Sequence, residues 1–371
     1  MATGMARPGG RAKNLLFEAA MRHHVFVLVL LCSTLFCAAQ TTHSAPGPSS
    51  DEPKQVPSFD LTAMDKSVDP CVDFYQYACG SWMKNNPIPA DKSRWGRFNQ
   101  LDEHNLYILR DILEEAAPKP PRAGSEIGPG IKPVIETKVG DYYASCMDET
   151  TIEKRGAAPL KPTMDQIAAM KTKQDLIRQV GALHSDGVPA LFSFGQMPDM
   201  HDSRETVANL DQGGLSLPDR DYYLKDDAKS VETRAKYVEH VQKMFELLGD
   251  KPETAAAEAK TVLEIETGLA KASMDRTARR DPKSRDHTMP VSEIATAAPN
   301  FELTEYFAES KTPKFSSVNV GNPEFFKAVN QQIASTPIDD WKTYLRWRVV
   351  DTYAGALPKA FVDEDFNFFG A

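Results

Sequence analysis

The sequence predicts a mainly α-helical fold, in which several helices form one multi-helix domain with one or two small β-hairpins. Apolar residues recur at helical spacing through two long stretches, residues 231–248 and 253–272. One shorter stretch, residues 189–210, reads as two strands around a turn. The chain of 371 residues is 41% hydrophobic and 26% charged, which suits a globular protein with a substantial core. Its net charge of −9 argues against nucleic-acid binding, because phosphate contacts require clustered Lys and Arg.

The N-terminus predicts an export signal. A polar head, Met21–His24, precedes 12 mostly apolar residues, Val25–Phe36, and small residues then suit cleavage near Ala39. Twelve residues are too few to cross a bilayer, which needs about 20, so we expect no transmembrane helix. A buried helix or an uncleaved anchor is the alternative. We therefore assign residues 1–39 to a signal peptide, with Met21 as the expected true start, and predict a secreted or periplasmic protein.

The rest of the chain divides into a disordered tether over residues 40–58, rich in Ser, Thr, Pro and Gln, and a folded domain over residues 59–371. A first helix is predicted from Asp69 to Lys84, with Asp69 as its cap. A long helix follows from Trp95 to Ala117 and ends before prolines. The other expected elements are a Gly-rich loop at 123–130, helices at 134–147, 165–170 and 174–184, strands at 189–196 and 205–210, helices at 231–248 and 253–272, an irregular charged segment at 276–286, a mixed segment at 301–326 and a helical stretch around 341–348.

Three cysteines remain after the predicted cleavage, Cys71, Cys79 and Cys146. An odd number in an exported protein indicates a free thiol, an intermolecular bridge or a missing partner. If Cys71 and Cys79 lie on one helix, their eight-residue separation places them about 12 Å apart along its axis. A disulfide requires Cα atoms within roughly 7 Å. We therefore expect no bond between these two cysteines unless the helix breaks between them.

The sequence contains no recognisable catalytic centre, and we predict neither catalytic residues nor metal ligands in it. Its eight histidines include no pair at i, i+4, the spacing of the HExxH zinc motif, and CxxC, GxSxG, P-loop and GxGxxG motifs are absent as well. The basic residues Arg276, Arg279, Arg280 and Lys283 suit an anion, but aspartates are interleaved with them. That pattern favours a salt-linked loop.

A series of short motifs resembles the N-terminal region of the neprilysin-like family of zinc metalloendopeptidases, the neprilysin and endothelin-converting-enzyme type. The motifs occur in the family's order and span about residues 59–370. The matching residues are Asp69–Cys71, Asp73–Tyr75, Tyr77–Gly80, Trp82, Pro87–Pro89, Ser93–Trp95, Tyr142–Tyr143 with Cys146, Gln212–Leu215, Leu217–Tyr223, Lys236–Tyr237, Leu247–Gly249, Arg279–Asp281 and Tyr344–Trp347.

The resemblance implies that this chain is the N-terminal half of a two-lobed metallopeptidase about twice as long. The zinc site, an HExxH helix with a downstream glutamate, would lie in a C-terminal catalytic half that is missing here. Zinc would then be a cofactor of the full-length enzyme and would not be bound by this chain. The helical part would roof a cavity for peptide substrates. The resemblance further implies that Cys71, Cys79 and Cys146 have disulfide partners beyond residue 371.

The chain ends with three phenylalanines within four residues, at Phe366–Phe369. Such side chains favour burial. Two interpretations stay open: an ordinary C-terminus docked on the domain, or a chain cut short inside a larger fold.

The resemblance also implies a substrate-binding role for three residues. In the family, the arginine of a Ser-Arg-aromatic motif helps to hold the C-terminal end of the peptide substrate, and that position is Arg94 here. A guanidinium suits this task because its fork donates two hydrogen bonds to a carboxylate. Phe98 matches an aromatic of the same subsite, whereas Asn99 stands where neprilysin has an aspartate. The simpler alternative for Arg94 is a surface arginine at a helix start.

We therefore expect the N-terminal part of a secreted zinc metalloendopeptidase, inactive by itself. The alternative is a non-catalytic protein of the export compartment that binds peptides or a partner.

Overall fold

The computed structural model of the chain describes residues 53, 55–89, 92, 94–117 and 134–370. The predicted signal peptide, most of the tether and the Gly-rich loop lie outside these ranges. The chain divides into two compact units, one ending at Ile112 and the other beginning at Leu113. The described residues form fourteen α-helices and one four-stranded sheet. The mainly helical fold predicted from the sequence is confirmed.

In the first unit, a 3-10 turn at Leu61–Ala63 precedes helix α1, which spans Phe74–Asn85. The predicted start at Asp69 is wrong. The Asp69 carboxylate accepts a hydrogen bond from the Cys71 amide at 2.8 Å and closes a separate turn. Asp73 then caps the helix by accepting from the Gln76 amide at 2.9 Å. Cys71 therefore lies before the helix, so the separation estimated for two cysteines on one helix does not apply.

The long second helix, α2, spans Arg97–Ala116, within two residues of its predicted bounds. Its apolar residues recur at helical spacing, as expected for a helix with one buried face. In the structure, however, Leu106, Leu109 and Ile112 are 58%, 54% and 54% exposed. Periodicity therefore located the helix correctly but did not predict how much of its apolar face is exposed.

The second unit contains the main core. The remaining helices are α3 (Val134–Cys146), α4 (Glu149–Arg155), α5 (Lys161–Ala169), α6 (Lys173–Ser185), α7 (Asp221–Leu224), α8 (Ala228–Leu247), α9 (Pro252–Ala272), α10 (Val291–Ala297), α11 (Leu303–Glu309), α12 (Pro323–Ser335), α13 (Ile338–Tyr353) and α14 (Lys359–Asp365). The stripe predicted on α8 is buried at Tyr237, Val241 and Phe245, and Trp347 of α13 is also fully buried. Gly249, at a φ of +103°, follows α8, where a left-handed residue commonly ends a helix. Nowhere in the described ranges does a helix combine the length and apolarity needed to cross a membrane.

The sheet contains the predicted hairpin and two further strands. The hairpin strands are β1 (Phe192–Pro198) and β2 (Thr206–Gln212), which pair antiparallel. The other two are β3 (Thr288–Pro290) and β4 (Ser317–Val320), and the strand order is β1-β2-β4-β3. β4 runs parallel to β2. The two strands of a hairpin pair antiparallel, so the hairpin prediction did not include this pairing. Strands of three and four residues are too short to show the period-2 pattern that located the hairpin.

The three C-terminal phenylalanines lie on a π-helical segment, Phe366–Gly370, that follows α14. Phe368 packs against the domain, with its ring stacked on His240 at a centroid distance of 4.8 Å. Phe366 and Phe369 remain 64% and 46% exposed. The expectation that these side chains favour burial is thus met by Phe368 alone.

Candidate functional site

The three residues predicted to bind substrate lie together at the start of α2. Arg94 precedes the helix and is exposed, and no hydrogen bond or ion pair engages its guanidinium among the described residues. Phe98, in the first turn, is 89% exposed. Asn99 is half-buried. An uncommitted guanidinium and an open aromatic ring, four residues apart in sequence, thus share one surface segment.

Arg97, which sequence reasoning did not single out, fixes this segment to α1. Its guanidinium forms an ion pair with Asp60 and lies 5.3 Å from the centroid of the Trp82 ring. Gln100 adds a hydrogen bond from its Nε2 to Oδ1 of Asn86, at 2.8 Å. Because hydrogen bonds to Thr62 and Arg97 favour its ionised form, the pKa of Asp60 is lowered. No spacing signal links Asp60 to Arg97 across 37 residues, so the pair was not accessible to sequence reasoning.

An uncommitted guanidinium can bind a carboxylate, and an exposed aromatic ring in the same segment can contact an apolar group attached to that carboxylate. The fork of the guanidinium offers two parallel donors to the carboxylate, and the ring offers apolar contact area. Neprilysin is expected to have an ionised aspartate at the position of Asn99. Asn99 carries no charge, so this chain has no carboxylate there. The segment therefore offers one positive charge and no compensating acid at its three predicted residues.

All three described cysteines are unbonded. Cys71 and Cys146 are exposed, whereas Cys79, on α1, is half-buried. Cys146 ends α3 and lines a cavity of about 580 Å³ together with Ile152 and Leu357. Pairing of these thiols with cysteines beyond residue 371 stays a prediction.

The second unit contains a buried charged centre that sequence reasoning did not predict. Glu266 of α9 is fully buried and lies 3.8 Å from Nη1 of Arg348 on α13. The hydroxyl groups of Tyr223 and Tyr237 both donate to Oε2 of Glu266, at 2.6 and 2.8 Å. Burial raises the pKa of Glu266, although Arg348 and the hydroxyl donors oppose this shift. The centre ties helices α7, α8, α9 and α13 together.

Three histidines of the second unit, His184, His240 and His287, are engaged in structural contacts. Nδ1 of His184 lies 2.7 Å from the Tyr306 hydroxyl, Nδ1 of His240 lies 3.0 Å from Glu364, and Nδ1 of His287 lies 3.1 Å from a backbone carbonyl. In the described part of the chain, no three His, Cys, Asp or Glu side chains come together as metal ligands. Catalytic zinc takes three protein ligands. No chemical step is assigned to the described residues.

Comparison with known proteins gives consistent matches. The family model described as Peptidase family M13 matches residues 70–371. The chain is 31% identical to endothelin-converting enzyme 1 of Mus musculus over 382 aligned residues, covering 98% of this chain and 48% of the relative. It is also 31% identical to an endothelin-converting enzyme homolog of Locusta migratoria, covering 82% of this chain and 43% of the relative.

A solved structure matches at the level of the fold and of the sequence. The zinc metalloprotease Zmp1 of Mycobacterium tuberculosis, crystallised in complex with an inhibitor, superimposes with a TM-score of 0.74 at 28% identity. The match covers 85% of this chain and 47% of the solved chain. The chain thus spans about half the length of the relatives it matches.

Proposed function

Because the chain belongs to peptidase family M13, we propose that it is the N-terminal part of a secreted zinc metalloendopeptidase that hydrolyses peptides. In this proposal the chain supplies the roof of the substrate cavity. The zinc site and its HExxH motif would belong to a catalytic half supplied by sequence beyond residue 371 or by a separate chain. The observation that carries the proposal is the family match over residues 70–371, combined with the absence of HExxH from the sequence.

Within this assignment, Arg94 would bind the C-terminal carboxylate of the peptide, and Phe98 would contact the adjoining side chain. The uncommitted guanidinium and the open ring at the start of α2 support these roles. Asn99 would contribute a neutral polar contact. Cys71, Cys79 and Cys146 would form disulfides with the catalytic half, and the exposure of Cys71 and Cys146 is compatible with such bonds.

Two measurements test the proposal. The purified 371-residue chain is assayed for zinc content and for cleavage of a fluorogenic peptide with zinc added. We expect neither stoichiometric zinc nor hydrolysis, and zinc-dependent cleavage by this chain alone would overturn the assignment of catalysis to another segment. The genomic sequence after the codon for Ala371 is then read. A downstream HExxH, in frame or after a frameshift, supports the peptidase, whereas a stop codon with no such sequence nearby supports the stand-alone binding protein.

A further inference from the structure

A cleft of about 460 Å³ in the second unit is not used by the proposed peptide clamp. It is formed by the segment that follows β2 and the segment that follows α9. Four arginines line it: Arg220, Arg276, Arg279 and Arg348. Asp219 is the one acidic residue in the lining. Such an excess of guanidinium groups around one cavity suits an anionic ligand.

Three of the arginines already have carboxylate partners: Arg348, Arg276 and Arg279. Arg348 is 4% exposed and lies 3.0 Å from Asp351, while its Nε donates to the carbonyl of Pro189 at 2.7 Å. Arg276 pairs with Asp219 at 3.0 Å. These contacts fix the guanidinium groups around the cleft, so a ligand would meet donors that are already oriented.

The fourth arginine, Arg220, is different. Its side chain is half-buried, yet no hydrogen bond or ion pair engages it among the described residues; Asp275 influences it only at longer range. In addition, Asp211 serves two guanidinium groups at once, Arg279 at 2.9 Å and Arg285 at 3.2 Å. The local arginines are therefore incompletely matched by carboxylates in direct contact. A partly desolvated guanidinium without a partner loses hydration and gains nothing until an anion binds.

The rest of the lining indicates what carries the anionic group. Apolar residues also line the cleft: Pro189, Leu215, Leu217, Pro218 and Met274. A naked inorganic ion would gain nothing from these groups. A carboxylate on an organic carrier such as a peptide would use both kinds of contact.

We propose that this arginine cleft binds an acidic side chain of a peptide, with Arg220 as the principal contact and Arg276 beside it. The sequence pattern predicted a loop whose arginines pair with the interleaved aspartates, but Arg276 and Arg279 pair instead with Asp219 and Asp211, outside the loop. Arg220 lies outside that loop, on the segment that follows β2, and no ion-pair partner engages it among the described residues. The choice of a peptide as the molecule that carries the carboxylate rests on the proposed function. The preference for a carboxylate rests on the arginines of the cleft.

The test is calorimetric titration of the 371-residue chain with a short peptide that contains two glutamates and is acetylated and amidated at its ends. Blocked ends remove the terminal carboxylate, which is the group that Arg94 is proposed to bind. A peptide with glutamine at both positions is the matched ligand, and inorganic phosphate is titrated separately. We expect the glutamate peptide to bind at least tenfold more tightly than the glutamine peptide. Arg220→Gln should weaken its binding about tenfold, and Arg276→Gln should weaken it less.

Arg204→Gln is the control, because Arg204 is exposed in the turn between β1 and β2, and its charge is lost in the same way. A circular dichroism melt shows that each variant is folded. Equal affinity for the two peptides, an equal effect of Arg220→Gln and Arg204→Gln, or binding of phosphate alone would overturn the proposal. Hydrolysis plays no part in the readout, so failure of the proposed peptidase function would leave this result interpretable.

Discussion

The hydroxyl of Tyr237 donates a hydrogen bond to Oε2 of Glu266 across 2.8 Å, and both side chains are completely buried. Tyr223 donates to the same oxygen, and Ser216 donates to the other one at 2.9 Å. Three neutral donors and the guanidinium of Arg348 thus compensate for one carboxylate removed from water. The arrangement connects α7, α8, α9 and α13 through a single acidic side chain.

Glu266→Gln should destabilise the chain by about 2–4 kcal/mol, because Arg348 would lose a buried counter-charge while the amide nitrogen would face hydroxyl and guanidinium donors. Urea denaturation, followed by far-UV circular dichroism, measures the change in unfolding free energy. Glu264→Gln is the control on the same helix, since Glu264 is exposed, and should change stability by about 0.5 kcal/mol at most. Equal stabilities of the two variants would show that the buried centre contributes little.

Gly214→Ala should destabilise the chain by about 3 kcal/mol, from overpacking and from left-handed strain together. Gly214 has a φ of +80°, and a Cβ there would lie 2.6 Å from the Tyr344 hydroxyl and 2.9 Å from Cα of Leu191. The Tyr344 hydroxyl also donates to the carbonyl of Gly214 at 2.9 Å. The Tyr344 side chain therefore cannot move away from the added methyl without losing this hydrogen bond. Thermal melts compare this variant with Gly355→Ala, where the added methyl meets open space. A similar melting temperature for both variants would contradict the close approach.

The sequence predicted those parts of the fold whose signals are local. The apolar stripe of α8, the proline-bounded end of α2 and the hairpin of β1 and β2 all depend on spacing within one segment. The start of α1 was misplaced because Asp69 and Asp73 are both good caps, and only the turn at Cys71 decides between them. The parallel pairing of β2 with β4 joins residues more than 100 positions apart, which no local pattern records.

The candidate site divides in the same way. Arg94, Phe98 and Asn99 were found through a short motif, and the structure places all three at one helix start. Arg97 was missed because its partner, Asp60, lies in another segment, and the two residues meet only in the folded chain. Arg220 was missed because its distinguishing feature, the lack of an ion-pair partner among the described residues, is seen only in the structure.

Thiol mapping should give free thiols at Cys71, Cys79 and Cys146 in the isolated chain. Cys71 and Cys146 should be alkylated quickly because they are exposed, and half-buried Cys79 should react more slowly. Timed iodoacetamide labelling, followed by peptide mass mapping, gives the rate at each cysteine. Labelling in denaturant is the control and should equalise the three rates. A disulfide between any two of them, formed without added oxidant, would contradict the proposal that their partners lie elsewhere.

The burial of neutral His184 should make the chain less stable as the pH drops from about 7.5 to 5.5. Burial lowers the pKa of His184 below its ordinary value of 6.5. Its ring is held neutral between the Tyr306 hydroxyl and the carbonyl of Ala190. Below a pH of about 6.5 the unfolded chain takes up a proton that the folded chain does not, which costs up to about 1.4 kcal/mol per pH unit.

His184→Gln should therefore flatten this pH dependence, whatever its effect on stability at pH 7.5. A residual slope should remain, because burial also lowers the pKa of His240. Urea denaturation at several pH values measures the slope of unfolding free energy against pH. The original chain is the reference for this slope. Parallel slopes for His184→Gln and the original chain would exclude His184 as the titrating group.

Arg94→Ala should selectively weaken the use of peptides that end in a free carboxylate, measured in a version of the enzyme that carries the catalytic half. Hydrogen bonds to charged groups contribute about 1.5–3 kcal/mol, so kcat/KM for a free-acid peptide should fall about 10- to 150-fold. The same peptide with an amidated C-terminus offers no carboxylate to Arg94 and should lose much less. Phe98→Ala should lower both values similarly, because its ring contacts apolar surface whatever the charge of the terminus. Arg155→Ala, an exposed arginine at the end of α4, is the matched control and should change neither value. If Arg94→Ala lowered both peptides equally, the carboxylate clamp would be wrong, and Arg94 would be a surface arginine at a helix start.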